Sequence, residues 1–276
     1  MPLLETDIET VETVERGEGE QVVLLFHASA TVPAALIGLM KRLEAPGRRL
    51  LAPAAYRCGA TKVNLPDGTS FAEANLAIAK AVLRALPTDN PVLFGHSKGG
   101  VTALRVALET TSEGKSPASL ILFEPILYPM LDANVPAEAV ERDWDQSVIS
   151  TLKSEVAAGN AGAGVKAFVE AWNDARWEDL PEPVRAFLVS DAQNLADEAA
   201  EVIDIPLNLE KLSCFEVPTL ILCGEKSPTF TRLAAQNLEK HLPNATLKTL
   251  TDVGHMGPIN RSDLIAEAIS AFIPHP

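Results

Sequence analysis

The sequence predicts an α/β protein: a mostly parallel central sheet flanked by helices, with a helical cap inserted between two strands. Three observations predict it. Short apolar runs rich in Leu and β-branched residues alternate with longer segments of helical period. The runs are continuous, as strands buried on both faces are. One long stretch, 131–205, keeps helical periodicity but contains no convincing strand. At roughly 150 residues per domain, the 276 residues make about two domains or one large domain with an insertion. The second arrangement places the core at 1–130 and 206–276 and the cap at 131–205.

The strand-like runs are 22–26, 49–53, 92–94, 120–123, 219–223 and 246–250. Between them, Pro33 suits the first turn of a helix ending near Glu44. Ser70-Phe71-Ala72-Glu73 is a capping box that opens a helix running to about Leu86, where Pro87 stops it. Ser262 is placed to cap the last helix. The 131–205 stretch contains all three tryptophans, Trp144, Trp172 and Trp177. A helical insertion in a parallel sheet has to sit outside that sheet, most simply over one edge.

Composition removes several function classes. Lys and Arg total 23 against 37 for Asp and Glu, a net charge of -14. Such a surface repels phosphate backbones and anionic lipid, so neither nucleic acid nor a membrane is expected as a partner. A small-molecule substrate is. Cys58, Cys214 and Cys223 form no C-x-x-C pair, so neither a disulfide framework, a thiolate metal site nor a metal cofactor is expected. Cys223 reads as a small core residue. Residues 1–20 hold six glutamates and one aspartate without an apolar run. No secretory signal is expected there, and the cytoplasm is the expected location. The acidic positions Asp197, Glu198 and Glu201 read as solvated helix faces.

The chemistry concentrates at Gly95-His96-Ser97-Lys98-Gly99, a G-x-S-x-G pattern between a strand and a helical segment. A sharp strand-to-helix turn lifts a serine Oγ out of the sheet, and only glycines two residues to either side leave it room. The amide of Lys98 then points where an oxyanion would form. A phosphate loop would need a terminal G-K-[ST], which is absent.

A serine at its free pKa is inert and needs a base from a late loop. His255, between Gly254 and Gly257 after the last strand, fits. His241 closes a helix, where a cation suits the dipole; His275 is in the tail; His27 and His96 belong to their own turns. A second oxyanion donor is expected after the first long strand, at Phe26-His27-Ala28-Ser29, from the amide of Ser29 or alternatively Ala28. That turn also lacks the G-x-G-x-x-G of a dinucleotide site.

With Ser97, His255 and the His27 loop in this order, the chain resembles α/β-hydrolase-fold proteins over nearly its whole length. Leu122-Phe123-Glu124-Pro125, Gly224-Glu225-Lys226-Ser227-Pro228 and Gly254-His255-Met256-Gly257-Pro258 are similar to a group of capped bacterial members. The resemblance implies a cofactor-free serine hydrolase acting on esters, lactones or carbon–carbon bonds next to a carbonyl. Acyltransferase or perhydrolase chemistry would share the same residues.

One position departs from the family. Most members carry aspartate where this chain has Ser227, and a neutral serine does not offset an imidazolium. Glu124, at the end of the preceding strand, is the expected acid, as in some members; Asp252 and Glu225 are held in reserve. Loss of the aspartate also leaves open a non-catalytic, ligand-binding role. In the insertion, Phe168 and Trp172 make an i, i+4 apolar pair. Trp144, Met130 and Met256 are expected at the substrate pocket, with Tyr128 and Trp177 nearby.

Overall fold

The computed structural model describes residues 2–173, 176–273 and 275. Strands β1 (Leu3–Thr6), β2 (Glu9–Arg16) and β3 (Gln21–Phe26) lead through a 3-10 turn (Pro33–Leu36) into α1 (Ile37–Leu43) and β4 (Arg48–Pro53). A two-residue β5 (Lys62–Val63) precedes α2 (Phe71–Ala85), β6 (Val92–His96), α3 (Lys98–Ser112) and β7 (Ser119–Phe123). Among the described residues five α-helices follow without a strand: α4 (Pro136–Ala157), α5 (Ala161–Trp172), α6 (Glu182–Ser190), α7 (Ala192–Glu201) and α8 (Leu209–Ser213). The chain closes with β8 (Thr219–Gly224), α9 (Thr229–His241), β9 (Ala245–Leu250), α10 (Gly257–Asn260) and α11 (Ser262–Phe272).

The sheet runs β1-β2-β4-β3-β6-β7-β8-β9, with β5 beside β2. From β4 to β9 every pairing is parallel. The period-2 alternation of strand side chains divides the core into two layers. Leu24, Leu93, Leu120 and Leu122 face α2, α3 and the helices after β7, while Val23, Leu25, Phe94, Ile121 and Phe123 face α1 and α11. Burying each such side chain contributes about 1.5–3 kcal/mol. The chain passes from β3 out to β4 and returns across β3 to β6. The crevice where ligands collect in open α/β sheets therefore lies beyond the carboxyl ends of β3 and β6.

Several local readings need correction. Residues 1–20 carry no continuous apolar run, yet they supply β1 and β2. Both pair antiparallel, and β2 is buried through its middle: Val11 and Val14 enter opposite core layers, Glu12 is buried with its carboxylate accepting from the Ala60 amide at 2.6 Å, and Glu9 and Glu15 remain outside. At the opposite edge β9 is largely exposed, unlike the strands it resembles in composition. Ser262 is the first residue of α11 rather than its cap; Arg261 precedes the helix, and Ser262 Oγ accepts from Arg42 Nε at 3.2 Å.

The Ser70 cap does form, with Oγ accepting from Glu73 N–H at 3.2 Å. Glu73 reaches Arg105 instead of returning to Ser70. Glu201 takes over the exposed donors of α2: its Oε2 accepts from the amides of Phe71 (2.6 Å) and Ala72 (3.4 Å). Among the described residues no helix is long and apolar enough to cross a membrane.

Candidate active site

β6 ends at His96, and α3 begins at Lys98, leaving Ser97 alone in the turn at φ 57°, ψ -121°. A non-glycine residue in this region costs about 1–3 kcal/mol and persists only where its surroundings over-determine it. A Cβ on Gly95 would lie 2.4 Å from the Gly99 carbonyl oxygen, and one on Gly99 would lie 2.3 Å from that of Phe26. Both glycines are therefore required by close approach, and the turn is tied to β7 by Ser97 N–H donating to Phe123 O at 2.9 Å.

Glu124 follows β7 and is also left-handed, at φ 48°. Its side chain is fully buried. One carboxylate oxygen accepts from the Gly224 amide at 2.6 Å, with Cys223 Sγ at 3.4 Å. The other meets His255 Nδ1 at 2.6 Å, and His255 Nε2 lies 3.0 Å from Ser97 Oγ. Carboxylate, imidazole and hydroxyl thus form one hydrogen-bonded line across the ends of β6, β7 and the β9–α10 loop. Such a line can take a proton from Oγ and hold the charge that results.

His255 is held on several sides. His96 Nε2–H donates to its carbonyl at 2.8 Å, and the His96 and Trp172 rings lie 5.2 and 4.8 Å from its own. Burial keeps the His96 imidazole well below its ordinary pKa, with the His255 charge adding to the effect. Expected from the sequence to belong to its own turn, His96 instead braces the loop opposite through its ring.

The other expected acids lie elsewhere. Asp252 is exposed and pairs with Lys226 at 3.1 Å, and Glu225 accepts from the Asp252 amide. Ser227, at the position where the family resemblance implied an aspartate, is buried, and among the described residues its hydroxyl has no hydrogen-bond partner.

Residues 22–268 match the model of the alpha/beta hydrolase family. The chain belongs to that family. Over 66 residues it is 36% identical to the mouse (Mus musculus) protein ABHD14A, a span of 24% of this chain and 26% of that protein. The match thus covers about a quarter of the length of that curated relative. Two solved structures illustrate the fold. An esterase from Exiguobacterium antarcticum has a TM-score of 0.76 at 20% identity, with 98% of each chain covered. An enol-lactonase from Burkholderia xenovorans LB400 has a TM-score of 0.74 at 16% identity, covering 98% of this chain and 99% of that one.

In this α/β-hydrolase the loop after β3 faces the serine turn. His27 Nε2 accepts from the Ala55 amide at 3.1 Å, which leaves Nδ1–H to donate to the Ala28 carbonyl at 2.9 Å; Thr31 Oγ1–H donates to the same carbonyl at 2.7 Å. In a trans peptide the next N–H points opposite to the carbonyl. Fixing Ala28 C=O therefore fixes the Ser29 N–H. The Lys98 N–H opens α3 and has no acceptor within the helix. Burial, reinforced by the Lys98 charge, holds the His27 pKa down at about 4.

A cavity of about 580 Å³ opens over these groups, lined by Ser29, Ser97, Lys98, Met256 and, from α4 and α5, Ile149, Phe168 and Trp172. Trp144 and Met130 do not line it. Met130 is buried in the core beneath, in the 3-10 turn Tyr128–Met130, where its carbonyl accepts from Asn237 of α9; Trp144 packs behind Trp172 at 5.3 Å. Tyr128 is buried with its hydroxyl on Asp145, and Trp177 lies outside the lining. Among the described residues no group of three or more His, Cys, Asp or Glu side chains is placed to hold a metal ion.

Glu198 and Glu201 also overturn the reading of solvated faces. Glu198 is buried and forms an ion pair with the Lys98 ammonium. Glu198 follows Leu195 by three positions and precedes Val202 by four, which places it on the buried stripe of α7. That spacing was the available signal. Asp145, buried in the cavity wall, carried the same signal, preceding the buried Ile149 by four positions and Leu152 by seven.

Proposed function

We propose that the protein is a serine hydrolase that cleaves a small, largely apolar carboxylic ester or lactone through an acyl-enzyme on Ser97. The observation that carries this reading is the continuous hydrogen-bonded line Ser97–His255–Glu124 at the floor of the cavity. Ser97 Oγ attacks the substrate carbonyl while His255 Nε2 takes its proton, and Glu124 offsets the imidazolium charge. The oxyanion is received by the amides of Lys98 and Ser29, set before the reaction by α3 and by the His27–Ala28–Thr31 clasp. His255 returns the proton to the leaving alkoxide, then activates water to hydrolyse the acyl-enzyme and regenerate Oγ–H.

Glu124 replaces the aspartate expected at Ser227, and two features support the exchange. Its strained backbone turns the longer side chain inward, and the Gly224 amide holds its second oxygen. The tightly apolar cavity wall favours acyl or lactone carbons over charged ones. The test is turnover of nitrophenyl esters from acetyl to dodecanoyl by the wild type and Ser97→Ala. Serine-dependent hydrolysis with a chain-length optimum is expected. Absence of any difference between the two proteins on every ester would leave a ligand-binding member of the fold.

A further inference from the structure

Asp145 is the charge in the cavity wall that the proposed mechanism leaves unused. It lies on α4 one turn before Ile149, and both residues line the cavity. It is 1% exposed. The Tyr128 hydroxyl donates to its Oδ2, and among the described residues no Lys, Arg or His nitrogen forms an ion pair with it. The guanidinium of Arg142, three positions earlier on α4, is committed to the face of the Tyr128 ring and to the carbonyls of Tyr128 and Leu131. The other charges on the wall, Lys98 and Glu198, neutralise each other. Burial raises the Asp145 carboxyl to about 6, with the Tyr128 hydrogen bond and the nearby His255 opposing that rise.

A buried carboxylate with a single donor costs stability that an apolar side chain would not. Its neighbours in the wall, Ile149, Val169 and Leu188, show that apolar side chains are at home there. A hydroxyl supplies a donor to the Asp145 oxygen that Tyr128 does not occupy, whereas an ammonium brings further donors that these apolar side chains do not meet.

We infer that Asp145 is a specificity residue that selects acyl groups bearing a hydroxyl, so that the substrate is a hydroxyacyl ester or a lactone carrying a free hydroxyl. The inference rests on the hydrolase reading for its reaction and on the cavity wall alone for its recognition. Hydroxyl binding fills the empty acceptor on Asp145, and a plain chain leaves it buried and unsatisfied.

The experiment compares kcat/KM for nitrophenyl hexanoate, its monohydroxy isomers and 6-aminohexanoate. In parallel, calorimetry measures binding of hexanamide and the hydroxyhexanamides to Ser97→Ala, which requires no turnover. At least one hydroxy isomer is expected to exceed the plain chain by about 10- to 100-fold in both measurements. Asp145→Leu is expected to abolish that preference while melting no lower than the wild type. Asp145→Asn, which keeps one acceptor, retains part of it.

Three results overturn the inference: no hydroxy isomer is favoured, the ammonium chain is favoured over all of them, or Asp145→Leu and Asp145→Asn slow plain and hydroxylated esters by the same factor. The last would make Asp145 a general support for His255. If no ester is turned over while hydroxyhexanamide binding still depends on Asp145, the hydrolase reading fails and the recognition stands.

Discussion

At the carboxyl ends of β6 and β7 the backbone itself aims the functional groups. Ser97 and Glu124 both stand at positive φ, each directly after a strand paired to its neighbours, and main-chain amides and carbonyls hold the turns. In α4–α7, side chains are aimed by partners instead. Glu198 is set by Lys98, Asp145 by Tyr128, and Trp172 by its packing on His255 and Trp144. A strand end fixes a position to within the pleat, whereas a helix surface supplies a position only after its neighbours are in place. The two regions therefore differ in what a substitution removes.

The largest effect is expected at the strand ends. Glu124→Gln keeps the volume and the acceptor for the Gly224 amide but removes the negative charge beside His255 Nδ1. Ester turnover should fall by about 10⁴-fold with the thermal midpoint little altered. A loss below tenfold would show that another group supports the imidazole.

In α7 the effect should fall on stability first. Glu198→Gln leaves the Lys98 ammonium buried without its partner, a loss of about 3–5 kcal/mol. Adding Lys98→Met should recover most of it, because both charges are then gone. Denaturant midpoints of the four proteins of this cycle measure the coupling. Equal midpoints in Glu198→Gln and the double variant would mean that the pair does not tie α7 to the serine turn.

A smaller effect is set by pH. His27 titrates near 4 in the folded protein and at about 6.5 unfolded. Below 6.5 the unfolded chain therefore takes up a proton that the native protein refuses. Stability is full above pH 6.5 and falls by about 3 kcal/mol as the pH drops to 4. Raising of the Asp145 carboxyl to about 6 acts the other way over part of this range. Unfolding midpoints from pH 7 to 4 should thus fall less steeply in His27→Asn and more steeply in Asp145→Leu. Parallel curves for all three proteins would remove both attributions.

This contrast also explains what could be read without coordinates. Five of the six runs lie within strands buried on both faces, which write their burial into nearly every residue; the sixth, 246–250, lies within the largely exposed edge strand β9. The Gly95–Gly99 pattern was equally legible, since the close approaches to the Phe26 and Gly99 carbonyls forbid any side chain. β1 and β2 escaped notice because their glutamates break up the apolar pattern: β1 is an exposed edge strand, and in β2 the buried Glu12 is satisfied by the Ala60 amide. The pocket wall was the hardest to read: Trp144 and Trp172 are chemically alike and both sit on helices, but only the second faces the cavity. Which face of an inserted helix turns inward depends on its neighbours, and Glu198 became visible as buried only once its spacing from Leu195 and Val202 was joined to the position of Lys98.

All of the proposed chemistry requires that Ser97 Oγ become nucleophilic within the folded protein. A fluorophosphonate probe followed by intact mass and peptide mapping measures this directly. One phosphonyl adduct on Ser97, absent from Ser97→Ala and slowed in Glu124→Gln, is the predicted result; a folded wild-type protein that carries no adduct, or carries it on another residue, would contradict the account.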